Sequence, residues 1–183
     1  MNHRWKTFLK ESKLRVFDFD DTLVKTDASV KISLPDGETL TLNAEQFANH
    51  KMDPNNKYDF SDFNDVVNPT EIMKVTNILR NTVNAGGVRE VVILTARDPE
   101  AQPAIERWLG EIGIDIKKIN ITCLATSDPR AKANWIENKI VDGVSDVLFL
   151  DDSGKNVKAV NSLKADYPEV KIDARIVKYA SEL

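Results

Sequence analysis

Residues 18–21 include three aspartates, Asp18, Asp20 and Asp21, and Thr22 follows directly. They close an apolar run, "LRVF", where like charges repel and burial is costly. Asp18 and Asp20 are two residues apart, so on an extended chain they share one side. A second acidic pair, Asp151-Asp152, closes the run "DVLFL", and Thr95-Ala96-Arg97 closes the run "EVVIL". Lys132, with Arg130 beside it, opens a segment of helical pattern. Carboxylates from separate strands make an oxygen-rich site suited to a hard cation. Mg2+ is the cation expected, held by one or two carboxylates, waters and a substrate phosphate oxygen. The cation would relieve the repulsion and Lys132 would add positive charge. Thr95 and the backbone N–H groups at loop and helix starts could hold phosphate oxygens.

These groups meet only if the apolar runs lie parallel, because ligands of a parallel α/β sheet bind beyond the carboxyl ends of its strands. The rest of the pattern has that form. "KLRVFDF", "EVVILT", "KINITCL", "DVLFLDD" and "VKIDARIV" read as strands. Helical segments fall between them: "PTEIMKVTNILRNTVNAGG" with Pro69 in its first turn, "DPEAQPAIERWLGEIG", "SDPRAKANWIENKIVDG" capped by Ser127 or Asp128, and "SGKNVKAVNSLKADY". Near-continuous apolar strands fit a parallel sheet covered on both faces. Residues 25–68 interrupt the alternation. "VKISL" and "TLTL" flank Pro35-Asp36-Gly37-Glu38 as a hairpin. "NAEQFANH" reads as a short helix capped by Asn43, and "KMDPNNKYDFSDFNDVVNP" as a long loop or lid. A short helix or loose arm precedes the first strand.

The 183 residues suit one domain, 1–183, with a small insertion. A net charge of −4 and a pI near 5.3 give no overall basic footprint for nucleic acid. The single cysteine, Cys123, excludes an internal disulfide, fits a reducing cytosol, and reads as a buried structural thiol. The N-terminus lacks the apolar core of a signal peptide, and no window approaches a membrane span. A cytoplasmic protein is expected.

"VFDFDDTL", "VVILTAR", Lys132 and "VLFLDD", in that order, resemble the four motifs of the haloacid dehalogenase-like (HAD) superfamily. The resemblance spans Leu14 to about Val177. It implies a three-layer, Rossmann-like parallel sheet with the hairpin and loop as a flap, and a phosphoaspartyl mechanism with Mg2+. Carried over, Asp18 is the nucleophile. Asp20 is the general acid and then the base, in surroundings that should favour its protonated form. The backbone carbonyl of Asp20 and the side chain of Asp151 are metal ligands with Asp18. Asp152 ligates through water or positions Lys132. Thr95 and Lys132 orient the phosphoryl group. Thr22 braces the first loop and joins Arg97 among the residues at the substrate. Asp21 departs from the pattern, which often has glycine there. Asn156 stands where the family often has a further acid.

The rival readings are structural. Arg97 pairs with Asp98 on the surface or reaches the substrate phosphate. Arg130 competes with Lys132, and Lys139 reads as a solvated helix residue. Trp108 and Trp135 read as core, His50 and His3 as surface. Tyr58, Phe60 and Phe63 anchor the loop or stack on a base. The resemblance and the intact Asp20 favour a phosphomonoesterase over a dehalogenase. The insertion is too short for a full cap, which leaves a relatively open site for a nucleotide or a phosphorylated nucleic-acid end. "YDFSDFNDVVNP" followed by a helix and "VVILTAR" resembles the 3'-phosphatase domain of phage-type polynucleotide kinase-phosphatase, with Arg97 in the substrate region. A sugar phosphatase is one alternative. A catalytically weak module that binds Mg2+ or phosphate and recruits a partner is another.

Overall fold

The computed structural model describes residues 12–179. The expected arm before the first strand, and His3, lie outside them. The chain forms β1 (Lys13–Phe17), β2 (Val24–Lys25), β3 (Ser29–Ser33), β4 (Thr39–Asn43), α1 (Ala44–Ala48), β5 (Lys57–Asp59), β6 (Thr70–Glu71) and α2 (Met73–Asn84). It continues through β7 (Arg89–Thr95), α3 (Gln102–Glu111), β8 (Asn120–Cys123), α4 (Pro129–Val141), β9 (Asp146–Asp151), α5 (Gly154–Asp166) and β10 (Lys171–Ile176).

Five strands form one parallel sheet in the order β10-β9-β1-β7-β8. Side-chain alternation along each strand splits the core in two. Phe17, Val91, Ile93 and Leu150 pack with Val75 and Leu79 of α2 and Ile105 and Trp108 of α3. Leu14, Val16, Val92, Leu94, Val147 and Phe149 pack with Ala133 and Ile136 of α4 and Val157 and Val160 of α5. Helices therefore cover both faces, giving a Rossmann-like α/β architecture of three layers. β8 has one neighbour and is half-buried, consistent with its place at the sheet edge.

The topology fixes where chemistry can occur. From β1 the chain moves outward through β7 to β8, then returns to β9 and β10 on the other side of β1. The order reverses between β1 and β9, which opens a crevice beyond their carboxyl ends. The amide of Asp18 extends the pairing of these two strands, donating to the Leu150 carbonyl at 2.9 Å. Asp18 and Asp151 thus emerge side by side. Among the described residues, no helix is long and apolar enough to cross a membrane.

Two sequence expectations need correction. Residues 51–69 are not only loop: β5 pairs antiparallel with β3, so the hairpin β3–β4 becomes a three-stranded sheet ordered β4-β3-β5. Aromatic packing holds the third strand, with the Tyr58 ring 6.1 Å from Phe47 and 6.5 Å from Phe60. The helix expected from Pro69 begins instead at Met73. Asn68 turns the chain with φ 44°, and Thr70-Glu71 then pair with Val24-Lys25 in a short antiparallel neck. Other local readings hold. Asn43 and Gln46 form a reciprocal capping box on α1, Asp128 caps α4, and Gly37 (φ 90°) supplies the left-handed residue of the β3–β4 turn.

Candidate active site

Asp18 directly follows β1 and is almost fully buried, as are Lys132 and Asp151. Lys132 lies in the first turn of α4, which places its ammonium between two strand ends. Nζ donates to Asp18 Oδ1 at 2.6 Å and to Asp151 Oδ2 at 2.7 Å. Of Lys132 and Arg130, it is Lys132 that these charge-assisted bonds bring among the carboxylates. Arg130 is turned outward on its own helix cap, Asp128, at 2.8 Å. Lys139 is also removed from the site, paired with Glu90 at 2.8 Å and lying over the Trp135 ring.

Each carboxylate has its own support. Thr22 Oγ1 donates to Asp18 Oδ2 at 3.0 Å and accepts from the Asp152 amide at 3.1 Å. Thr22 is wholly buried, and its hydroxyl ties Asp18 to the backbone at Asp152. Asp151 accepts from the Ser153 amide at 2.8 Å, and the Asn156 side chain donates to both its oxygens at 3.0 Å. Asn156 therefore orients Asp151 from the first turn of α5. Thr95, at the end of β7, is buried and its hydroxyl accepts from the Arg97 amide at 3.2 Å. Asp21 has φ 54°, the left-handed backbone that glycine adopts most readily.

Asp18, Asp151 and Asp152 can present ligand atoms all within 4.8 Å of one another. Three crowded carboxylates share one ammonium. Burial opposes the charge of Lys132, yet Asp18 and Asp151 outweigh it and raise its pKa above the usual lysine range. Burial also pushes Asp18 well above the usual carboxylate range. Lys132 offsets part of this, while Asp151 and Asp152 add repulsion. Burial, then repulsion from Asp151 and Asp21, push Asp152 up to about 7. An all-oxygen cluster short of positive charge fits a divalent cation such as Mg2+.

The sign of the pH dependence follows. A carboxyl whose folded pKa is raised stabilises the fold below its unfolded pKa, and that stability is lost as pH rises through the folded value. Metal-free protein should therefore lose on the order of 2 kcal/mol, or about 4–8 °C in melting temperature, between about pH 5 and pH 8. Mg2+ should raise the melting temperature more at the upper pH than at the lower. Thermal denaturation with and without EDTA checks both; a metal effect that grows as pH falls would contradict it.

Arg97 takes a partner that was not expected from its sequence neighbours. Arg97 does not pair with Asp98, which caps the short 3-10 turn Pro99–Ala101. Instead its Nε donates to Asp20 Oδ2 at 2.9 Å and its Nη2 to Asp20 Oδ1 at 2.7 Å. The guanidinium fork thus takes both oxygens of Asp20. Arg97 Nη1 also donates to the carbonyls of Phe63 at 2.8 Å and Asp65 at 2.6 Å. Polar pairing between positions 77 residues apart carries no sequence periodicity.

The aromatics singled out in the sequence make ring contacts within the fold. Trp108 is core, edge-on to Phe19 at 5.5 Å, whereas Trp135 is only partly buried. Phe63 packs against Arg97, while Tyr58 and Phe60 pack with Phe47 and His50 inside the insertion. Cys123 is half-buried, and burial pushes its thiol up, away from nucleophilic character. Compared with protein-family models, curated proteins and solved structures, the chain matches none of them.

Proposed function

We propose that this chain is a phosphomonoesterase of the HAD type that works through an aspartyl-phosphate on Asp18 and uses Mg2+. One observation carries the reading: Lys132 bridges Asp18 and Asp151 in the crevice where the strand order reverses, with Asp152 close enough to complete an oxygen-rich cation site. Asp18, Asp151 and Asp152 would hold Mg2+, which supplies positive charge against the phosphoryl oxygens.

The chain's own groups divide the work. Lys132 and the Thr95 hydroxyl hold phosphoryl oxygens, and Thr22 fixes the carboxylate of Asp18 for attack. A carboxylate oxygen of Asp18 forms a bond to phosphorus as the bond from phosphorus to the leaving oxygen breaks. Asp20 gives its proton to that oxygen. In the second step Asp20 takes a proton from water, whose oxygen bonds to phosphorus. The bond from phosphorus to Asp18 breaks, releasing inorganic phosphate and restoring both carboxyls.

Two observations favour a small phosphomonoester, a free nucleotide or sugar phosphate, over a polynucleotide end. Residues 25–68 carry four lysines against eight aspartates and glutamates, so the chain's whole formal charge of −4 sits on the insertion. Such a surface repels a phosphate backbone. Arg97, the residue the polynucleotide likeness puts near substrate, is engaged with Asp20 and two carbonyls. The test is Mg2+-dependent release of phosphate from p-nitrophenyl phosphate, with an EDTA control. Mononucleotides, sugar phosphates and a 3'-phosphorylated oligonucleotide are then compared. Metal-dependent turnover with preference for the small substrates is expected. Absence of turnover removes the enzyme reading in favour of a binding module, and preference for the oligonucleotide reverses the substrate assignment.

A further inference from the structure

Arg97 has no role in the chemistry just described, yet it is one of the most constrained side chains in the molecule. Its side chain is 2% exposed, whereas that of Asp20 is 28% exposed. Its guanidinium engages both oxygens of Asp20 and both carbonyls at Phe63 and Asp65. It is also flanked by two rings, 5.1 Å from the centroid of Phe19 and 5.6 Å from that of Phe63. The segment that supplies the carbonyls is itself fastened down. Asn64 donates to Glu100 at 2.8 Å, Asp65 pairs with Arg107 at 2.7 Å, and Asp62 accepts from Ser29 at 2.7 Å.

A guanidinium held on three sides cannot swing to a substrate phosphate without leaving two carbonyls unpaired and its charge uncompensated, a costly exchange at a buried position. We infer that Arg97 is a positioning residue: it aims Asp20 and ties that aim to the docking of residues 63–65. The inference rests on the phosphatase reading, in which Asp20 serves the leaving oxygen. In the resting conformation the fork takes both oxygens of Asp20, so one must be released for the carboxyl to reach substrate. The carbonyls and rings on the far side keep the guanidinium in place while that happens. Undocking the segment removes those supports, so the returning segment of the insertion and the proton-transfer group act as a unit.

Leaving-group dependence separates this role from phosphate binding. An alkoxide needs a well-aimed acid to leave, whereas p-nitrophenolate leaves without one. kcat/KM is measured on p-nitrophenyl phosphate and on an alkyl phosphate for the wild type, Arg97→Met and Phe63→Ala. Arg97→Met is expected to lose about 100-fold on the alkyl ester and under about 5-fold on the aryl ester. Phe63→Ala, which leaves the fork intact and loosens its far side, should show the same selectivity at about 10-fold against 2-fold. If Arg97→Met does not fold, Phe63→Ala decides. Equal losses on the two esters, or a loss confined to KM, would overturn the inference while leaving the phosphatase reading intact. A wild type that hydrolyses neither ester overturns the reading and the inference together.

Discussion

An Asp18→Asn variant should lose hydrolysis by about 10^4- to 10^6-fold, the scale of removing a covalent nucleophile. It should also melt about 2–4 °C higher than the wild type at about pH 8 without metal. The two effects share one cause. Burial, with repulsion from Asp151 and Asp152, holds the carboxyl of Asp18 well above its ordinary range, so its ionisation at that pH works against the fold. An amide cannot ionise, and Lys132 keeps its bond to Asp151 at 2.7 Å. A nucleophile that costs the fold stability is a common trade between activity and stability. Activity assays paired with thermal melts check both. A variant with unchanged turnover removes Asp18 from the role of nucleophile, and a lower melting temperature removes the electrostatic account.

Lys132→Met should have the opposite effect on stability. Methionine fills much of the same volume but leaves Asp18 and Asp151, both buried, without the ammonium that bridges them. Removing one partner of a buried charge cluster costs about 3–5 kcal/mol, so a loss near 10 °C is expected in metal-free protein. Added Mg2+ should recover part of that loss, because a cation can compensate the same carboxylates. Turnover should fall by about 10^2- to 10^3-fold even with metal present, since the proposed mechanism assigns to Lys132 the charge that meets the phosphoryl oxygens. Combining Lys132→Met with Asp18→Asn should cost less stability than the two single effects added together, the signature of direct coupling. A metal-free Lys132→Met protein as stable as the wild type would show that the bridge is not what balances the cluster.

Much of the candidate site was readable because chemistry and periodicity coincide at the strand ends. Asp18, Thr95 and Asp151 each follow or finish an apolar run, and parallel packing brings such ends to one edge. Lys132 is readable as a lysine opening the helix after β8. The parts that escaped depend on distant pairing. Lys57-Tyr58-Asp59 is too short to show an alternating pattern, and it is a strand only because β3 lies beside it. Pro69 looked like a helix start, but Thr70-Glu71 find partners in Val24-Lys25 some 45 residues earlier in the chain. Arg97 followed the same rule: its position was legible, but its ligand, Asp20, depended on the fold. Asp21 escaped as well: its left-handed backbone, φ 54°, emerges only from the tight loop after β1.

The neck between β2 and β6 bears on how such a protein changes over evolutionary time. The 44 residues between Lys25 and Thr70 leave and re-enter the core at paired positions. The core therefore meets the same two chain ends whatever lies between them, and doubling the length of that excursion adds only about 0.6 kcal/mol of closure entropy. A different cover could be spliced across this neck without renumbering a contact in the parallel sheet. The splice would have one seam to rebuild, around Arg97, where the present insertion is stitched to the core by the Phe63 and Asp65 carbonyls and by the Asn64–Glu100 and Asp65–Arg107 contacts.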